Sequence, residues 1–215
     1  MNIYCISGLG ADERAFQFLN LEPHTIVYIP WLLPHNNESL VNYALRMSQK
    51  IDDSKPFALL GLSFGGMLSV EISKIKKPKK LILLSTITGT NEKPLRMKLA
   101  GKSGFYKYIP SKFFTKPSRI ADELFGAKTK NEKELLNQII RENNPEFIRW
   151  ALGAISNWEN KEAPKETLRI HGSEDCIFPL KNLKIPYILK GGGHLMVVSH
   201  ADELSAIIVK NLESI

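Results

Sequence analysis

The sequence predicts an α/β protein in which a mostly parallel sheet is covered by helices on both faces. Short, continuously apolar segments alternate along the chain with longer segments of helical periodicity. Strands that are apolar throughout are typical of parallel sheets buried on both sides. The 215 residues, of which 43% are hydrophobic and 24% charged, are enough for one domain with a sizeable core.

The predicted elements follow one another in a regular order. The strands are short and apolar, and are predicted at residues 2–7, 25–29, 57–62, 81–84, 167–170 and 185–189. The helices have apolar residues at helical spacing and are predicted over 38–51, over 64–75, over 131–141, from Asn144-Pro145 onward, and at the C-terminus. Ser199 and Asp202 have the spacing of a capping box, which predicts the start of the last helix.

A long stretch without strand signals follows the fourth strand, from about Gly89 to Ala163. We expect this stretch to form a helical lid over the carboxyl ends of the strands, where sites in such sheets are found. The predicted organisation is therefore a core of residues 1–88 and 164–215, with a lid of residues 89–163 inserted in it.

The junction of the third strand and the next helix contains Gly61-Leu62-Ser63-Phe64-Gly65. This is the G-x-S-x-G pattern of a nucleophile elbow in the strand–turn–helix context that it requires. A serine in such a turn has a strained backbone, and the residues two positions away need to lack a Cβ so that strand and helix can approach. Gly61 and Gly65 meet this demand, so Ser63 is the predicted nucleophile.

A serine hydroxyl needs a base, and His194 is the best placed of the five histidines. It follows three glycines directly after the last strand, in a loop that can carry an imidazole to the edge where Ser63 points. His171 is expected to bond its own loop at a strand end. The base needs a carboxylate partner, and Glu174 or Asp175 can supply it, since spacing alone does not choose between them.

These residues carry a resemblance to α/β-hydrolase-fold proteins that covers nearly the whole chain. The elbow, the loop His171-Gly-x-x-Asp175-x-x-x-Pro179 and the final Gly193-His194 match that family in order and setting. The chain order Ser…Asp…His is the one that the family uses. The resemblance implies a catalytic triad of Ser63, Asp175 and His194, and a sheet of about six strands that begins at the family's third strand.

The same resemblance extends to the loop after the first strand, Ser7-Gly8-Leu9-Gly10. It is similar to the family's His-Gly-x-Gly oxyanion loop, with Ser7 where the histidine usually stands. The resemblance implies that the backbone N–H groups of Leu9 and Phe64 form the oxyanion hole. The loop lacks the G-x-G-x-x-G fingerprint of dinucleotide binding, and no His, Cys or carboxylate cluster has metal-ligand spacing. We therefore expect no cofactor and no metal.

The function implied is that of a serine hydrolase working through an acyl-enzyme on Ser63. A small-molecule substrate is expected, namely a small, largely apolar ester, thioester or amide. Apolar and aromatic residues of the lid and of the second strand's end are candidate substrate contacts; they are Trp31, Met97, Phe105, Trp150 and Trp158. By family analogy, a lyase and a ligand receptor with little turnover are the alternatives.

Eight basic residues and no acidic one lie between Lys93 and Arg119, interleaved with aromatic residues. A solvated lid surface is the favoured interpretation, attraction of an anionic substrate or membrane surface is the second, and nucleic-acid binding is the last. No apolar run has the length of a membrane span, and the N-terminus lacks the pattern of a signal peptide. With only Cys5 and Cys176, the sequence predicts a cytoplasmic protein.

Overall fold

The computed structural model describes residues 1–104, 108–110, 112–161, 164 and 167–214. These residues form a six-stranded sheet in which every neighbouring pair of strands is parallel. The strands are β1 (Asn2–Ile6), β2 (Thr25–Tyr28), β3 (Phe57–Leu62), β4 (Lys80–Leu84), β5 (Thr167–Gly172) and β6 (Tyr187–Leu189). Their spatial order is β2-β1-β3-β4-β5-β6, so β3 lies inside the sheet.

Helices connect and cover the strands as the sequence predicts. Their bounds are α1 (Leu40–Ser48), α2 (Phe64–Ile75), α3 (Leu95–Ser103), α4 (Lys112–Thr115), α5 (Arg119–Phe125), α6 (Lys130–Glu142), α7 (Pro145–Asn157), α8 (Met196–Ser199) and α9 (Ala201–Glu213). Short 3-10 helices span Glu13–Phe16, Thr90–Glu92 and Leu180–Asn182.

Both faces of the sheet are apolar because alternate residues of each strand enter two different cores. In β1, Tyr4 and Ile6 belong to the core that α1 and α2 cover, whereas Ile3 and Cys5 belong to the core that α9 covers. β3 and β4 divide their side chains in the same way. This two-sided burial is the reason why the strands are continuously apolar in the sequence.

Two local predictions are wrong. The last strand begins at Tyr187, not at residue 185, and it lies at the edge of the sheet, where Tyr187 and Ile188 are exposed. Ser199 does not cap the last helix, because it ends α8, and His200 is the residue before α9. The Ser199 hydroxyl lies 2.9 Å from Nδ1 of His200 instead.

The stretch between β4 and β5, called the insertion below (residues 89–163), contains α3 to α7. Its two ends contact each other, since the Thr90 amide donates to the Asn160 carbonyl at 2.7 Å. The Asn160 side chain donates in turn to the Thr88 carbonyl at 2.5 Å. In the described part of the chain, no helix is both long and apolar enough to cross a membrane.

One basic residue of the insertion has a different environment from the one expected. Lys93 is buried, and its Nζ donates to the carbonyls of Ile155 and Trp158 at 2.7 Å and of Ser156 at 3.2 Å. It therefore closes the C-terminal end of α7, where unpaired carbonyls and the helix dipole favour a cation. Lys93 does not belong to a solvated surface, whereas Arg96, Lys98, Lys116 and Arg119 are exposed.

Candidate active site

Ser63 lies at the sharp turn between β3 and α2, with a positive φ of 53° and a ψ of −117°. The turn is tight enough to exclude side chains at the two flanking glycines. A Cβ on Gly61 would lie 2.6 Å from the Gly65 carbonyl oxygen, and a Cβ on Gly65 would lie 2.2 Å from that of Ser7. A non-glycine residue in such a conformation costs about 1–3 kcal/mol, which the surrounding structure must offset.

The strained Ser63 peptide is held by hydrogen bonds on both sides. Its N–H donates to the Leu84 carbonyl at 2.9 Å, and its carbonyl accepts from the Gly66 amide at 2.9 Å and from Thr86 Oγ1 at 2.6 Å. Thr86 also lies so close to Gly66 that a Cβ there would be 2.4 Å from its Cγ2. Nothing in the sequence marks Thr86, because it approaches the turn only through the pairing of β3 with β4.

His194 joins the serine and the acidic loop in one chain of hydrogen bonds. Its Nε2 lies 2.8 Å from Ser63 Oγ, and its Nδ1 lies 2.8 Å from Asp175 Oδ2. Since an ionised carboxylate only accepts, Nδ1 carries the hydrogen and Nε2 presents its lone pair to the hydroxyl. His194 is 3% exposed and Asp175 4%, so this chain of bonds is screened from water.

The structure brings Asp175, and not Glu174, to the histidine. Asp175 Oδ1 accepts the amides of Ile177 and Phe178, both at 2.8 Å. Burial by itself would raise the pKa of Asp175, but the nearby His194 and hydrogen bonds from His171 and His194 lower it well below its usual value. Glu174 is exposed and pairs with Lys128 of the insertion at 2.7 Å.

The loop that carries His194 is packed between the core and the insertion. A Cβ on Gly172 would lie 2.2 Å from the Gly192 carbonyl oxygen, so the glycines let this loop approach β5 closely. The His194 ring lies 5.6 Å from that of Phe125 and 5.7 Å from that of Phe178. The sequence interpretation missed both rings; Phe178 lies inside the quoted loop motif, whereas no signal marks Phe125.

The loop after β1 lies directly beside the serine. A Cβ on Gly8 would be 3.5 Å from Ser63 Cβ. The loop is closed by the Ala11 amide, which donates to the Gly8 carbonyl at 3.0 Å, and by Ser7 Oγ, which donates to the Ala11 carbonyl at 2.5 Å. Ser7 therefore fixes the shape of this loop through its hydroxyl.

The two backbone groups predicted for an oxyanion hole belong to this loop and to the helix. Phe64 is the first residue of α2, where helix geometry leaves the N–H without an intrahelical acceptor. Leu9 lies in the Gly8–Ala11 turn and is half-buried against the core that α1 and α2 cover. The N-terminus of α2 adds a partial positive charge at the same place.

Two of the predicted substrate contacts, Trp31 and Trp150, pack around Phe64. The Trp31 ring stacks on the Phe64 ring at 5.5 Å, and its Nε1 donates to the Ala11 carbonyl at 2.8 Å. Trp150 meets Phe64 edge-on at 6.1 Å and donates to the Glu38 carbonyl at 2.8 Å. Trp150 also lines a cavity of about 930 Å³ between residues 33–41 and α7.

The other three predicted substrate contacts, Met97, Trp158 and Phe105, have different environments. Met97, on α3, is half-buried against the core that α1 and α2 cover. Trp158 is 3% exposed, and its Nε1 donates to Glu71 Oε1 at 2.7 Å, so its indole is engaged inside the protein. Phe105 lies outside the described residues. In the described part of the chain, no group of three or more His, Cys, Asp or Glu side chains could hold a metal ion.

Comparisons with known proteins show a similarity of three-dimensional structure. No protein-family model matches the chain, and neither does any curated protein sequence. Solved structures match it over nearly its whole length. MenH from S. aureus has a TM-score of 0.76 at 17% identity, with 100% of this chain and 94% of that chain covered.

The structures of two esterases match this chain to a similar degree. The esterase from Exiguobacterium antarcticum has a TM-score of 0.74 at 13% identity, over 99% of this chain and 92% of its own. The thermophilic esterase from Thermogutta terrifontis has a TM-score of 0.72 at 16% identity, over 100% of this chain and 90% of its own. At these identities the likeness is one of fold, and it confirms the fold class expected from the sequence.

Proposed function

Because this chain has the α/β-hydrolase fold, we propose that it is a serine hydrolase with a triad of Ser63, His194 and Asp175. The single observation that carries the proposal is the hydrogen-bond chain from Asp175 through His194 Nδ1 and Nε2 to Ser63 Oγ, with both contacts at 2.8 Å. A nucleophile, a base and a group that orients the base within hydrogen-bond reach are the arrangement of covalent acyl transfer. Two neighbours with this fold are esterases, which agrees with the proposal.

In the proposed reaction, Ser63 Oγ attacks the carbonyl carbon of the substrate while His194 Nε2 takes the hydroxyl proton. His194 then gives that proton to the leaving alcohol, thiol or amine, and an acyl-enzyme remains on Ser63. A water molecule deprotonated by His194 attacks the acyl-enzyme, and the acid product leaves with Ser63 restored. Asp175 stays ionised and stabilises the imidazolium that forms twice in the cycle.

The backbone N–H groups of Leu9 and Phe64 are proposed to hold the oxyanion of the tetrahedral intermediates. The position of the Gly8 turn beside Ser63 and the free first N–H of α2 support this assignment. Preorganised donors of this kind contribute about 3–4 kcal/mol each to transition-state stabilisation.

The proposed substrate is a small, largely apolar ester, thioester or amide. The aromatic rings around the site, Phe64, Phe125 and Phe178, support an apolar binding region. We propose that the insertion (residues 89–163) is the lid over this region. The contact of Phe125 with His194 and the hydrogen bond from Leu195 N to the Phe125 carbonyl, 3.0 Å long, support that role.

The test is hydrolysis of a p-nitrophenyl ester series from acetate to octanoate by the wild type and Ser63→Ala. We expect turnover that falls by on the order of 10⁶-fold in Ser63→Ala, because the covalent route is lost. The chain length with the highest kcat/KM measures the size of the acyl region.

A fluorophosphonate that reacts with activated serines gives a second readout that does not depend on the natural substrate. Labelling of the wild type and not of Ser63→Ala supports an activated nucleophile even if every p-nitrophenyl ester is inert. Equal labelling of both proteins would contradict the assignment of Ser63. Absence of both labelling and turnover would favour the receptor-like alternative.

A further inference from the structure

We propose that His171 is a positioning residue that orients the Asp175 carboxylate. Its N–H group also stabilises the negative charge of Oδ2, the same oxygen that accepts from His194. The inference rests on the proposed function, since it concerns how the triad of that function is tuned. His171 begins the loop motif quoted above, but the sequence suggests for it only a hydrogen bond within its own loop at a strand end. The structure places its Nε2 beside Asp175 Oδ2, the carboxylate oxygen that also faces His194.

The geometry around Asp175 Oδ2 carries the proposal. His194 Nδ1 lies 2.8 Å from this oxygen, and His171 Nε2 lies 3.2 Å from the same atom. His171 Nε2 also lies 2.8 Å from the Phe178 carbonyl oxygen. His171 is 1% exposed, so neither contact competes with bulk water.

These contacts fix the tautomer of His171. A peptide carbonyl and an ionised carboxylate both accept hydrogen bonds only, so His171 Nε2 carries the hydrogen and shares it between Phe178 O and Asp175 Oδ2. The contact with Phe178 O ties β5 to the loop that carries the acid. The contact with Oδ2 places a second N–H dipole on the carboxylate oxygen that otherwise faces His194 alone.

The second contact has a consequence that a purely structural role lacks. A carboxylate oxygen that accepts two N–H groups gives each of them less of its negative charge. With His171 in place, the His194 imidazolium is therefore less strongly stabilised than by an Asp175 bonded to His194 alone. We infer that His171 weakens the stabilisation that Asp175 gives to the His194 imidazolium formed in the proposed reaction.

Several other charged or titratable groups face this part of the site, and the variants below leave them unchanged. The acidic loop carries Glu174, which pairs with Lys128 of the insertion. Arg96 of α3 donates to the carbonyls of Cys176 and Ile177. The remaining groups on neighbouring elements are Lys190, which precedes the glycine loop, His200, whose Nε2 lies 3.2 Å from the Lys190 carbonyl, and the Arg169–Glu92 pair on β5.

The experiment measures the rate of fluorophosphonate labelling of Ser63 between about pH 5 and about pH 9 in three proteins. In this reaction Ser63 Oγ bonds to phosphorus, fluoride leaves, and the serine proton passes to His194, so the acid limb of the profile reports the protonation of His194. The proteins are the wild type, His171→Leu, which has no donor, and His171→Gln, whose side-chain amide can donate from nearly the position of Nε2.

We expect the acid limb of His171→Leu to move to higher pH by about one unit, because Asp175 Oδ2 then acts on His194 alone. The acid limb of His171→Gln is expected to stay near that of the wild type. The inference would be overturned if the acid limbs of both variants lay at the same pH as that of the wild type. No labelling of the wild type would instead overturn the proposed function, which keeps the two failures distinct.

A measurement on the unmodified protein guards against the case in which His171→Leu does not fold. Nitrogen-15 NMR of the histidine side chains assigns the tautomer of each ring directly. We expect His171 to carry its hydrogen on Nε2 and His194 on Nδ1 at neutral pH. A His171 ring with its hydrogen on Nδ1 could donate to neither oxygen, and that result would also overturn the inference.

Discussion

At the scale of single residues, the glycines around Ser63 decide whether the sharp turn between β3 and α2 can form. A Cβ on Gly65 would lie 2.2 Å from the Ser7 carbonyl oxygen and 2.3 Å from that of Ile6, and both atoms belong to the backbone. Since neither can move without shifting β1, we expect Gly65→Ala to lower the free energy of unfolding by about 3 kcal/mol, measured by urea denaturation.

The matched control for this prediction is Gly8→Ala, in the loop that faces the elbow. A Cβ there would have its nearest contact at 3.5 Å, which is ordinary van der Waals distance. We expect this variant to unfold at nearly the wild-type urea concentration. Equal stability of the Gly65 and Gly8 variants would mean that the elbow is less tightly packed than its distances indicate.

Asp175 gives a prediction on activity. Asp175→Asn keeps the shape of the side chain but lets its amide donate toward Nδ1, which favours the wrong tautomer of His194. We expect kcat to fall by on the order of 10⁴-fold with the fold intact. An activity within a few-fold of the wild type would show that His194 needs no carboxylate partner.

Asp175 also makes the stability depend on pH in a defined direction. Its pKa in the folded protein lies below the usual value of about 3.9, so its ionised form stabilises the fold above that pH. This contribution is lost as the pH falls below about 4 towards the folded-state pKa. We expect the wild type to lose more stability than Asp175→Asn between about pH 5 and about pH 3, measured by urea denaturation. Parallel curves for the two proteins would contradict this explanation.

At the scale of elements, Lys93 joins the start of the insertion to the end of α7. Lys93→Met keeps most of the side-chain volume but removes the ammonium donor from the carbonyls of residues 155, 156 and 158, of which the first and last are buried. We expect the free energy of unfolding to fall by about 3 kcal/mol. Lys98→Met, an exposed lysine on α3, is the control and is expected to change it by less than about 0.5 kcal/mol.

The strands and most helices could be predicted because their patterns are local. β3 is apolar throughout because both of its faces are buried, and Asn144-Pro145 starts α7 because cap and first-position preferences act within one turn. The start of the last helix could not be predicted in the same way. Ser199 has the right residue type for a cap, but the extra turn of α8 places it at the end of another helix, and that turn packs against α9 and the 3-10 helix Glu13–Phe16.

The hydrogen-bonded chain at the site could be anticipated for a similar reason, since motif order and strand ends bring Ser63, Asp175 and His194 to one edge. The sequence did not indicate the groups that support them. His171, Thr86 and Phe125 reach the site only through strand pairing or through the packing of the insertion. Nothing in the local pattern distinguishes Thr86 and Phe125 from core residues, and the loop motif that begins at His171 does not show that its ring contacts Asp175.

At the scale of the whole molecule, the net charge of +7 is unevenly distributed along the chain. The stretch from Lys93 to Arg119 carries eight basic residues and no acidic one, and Arg96, Lys98, Lys116 and Arg119 are exposed. If this stretch attracts anionic substrates, kcat/KM for an ester that bears a carboxylate should fall by about tenfold between about 0.02 and about 0.5 M NaCl.

The control substrate is a neutral ester of the same length, whose kcat/KM should change little with salt. The double variant Lys98→Glu and Lys116→Glu should reduce the salt dependence of kcat/KM for the anionic ester. It should not change the salt dependence of kcat/KM for the neutral ester. Equal salt dependence for both esters would leave the basic stretch as a solvated surface and nothing more.

The contact between residues 90 and 160 has a consequence for how this protein can change over evolutionary time. Because Thr90 and Asn160 are joined by a hydrogen bond of 2.7 Å, the two ends of the insertion lie next to each other. The cost of closing a loop grows only slowly with its length, so segments of very different size can occupy this place without disturbing β4 and β5. We therefore expect that residues 89–163 can change in length and sequence with little effect on the positions of Ser63, Asp175 and His194.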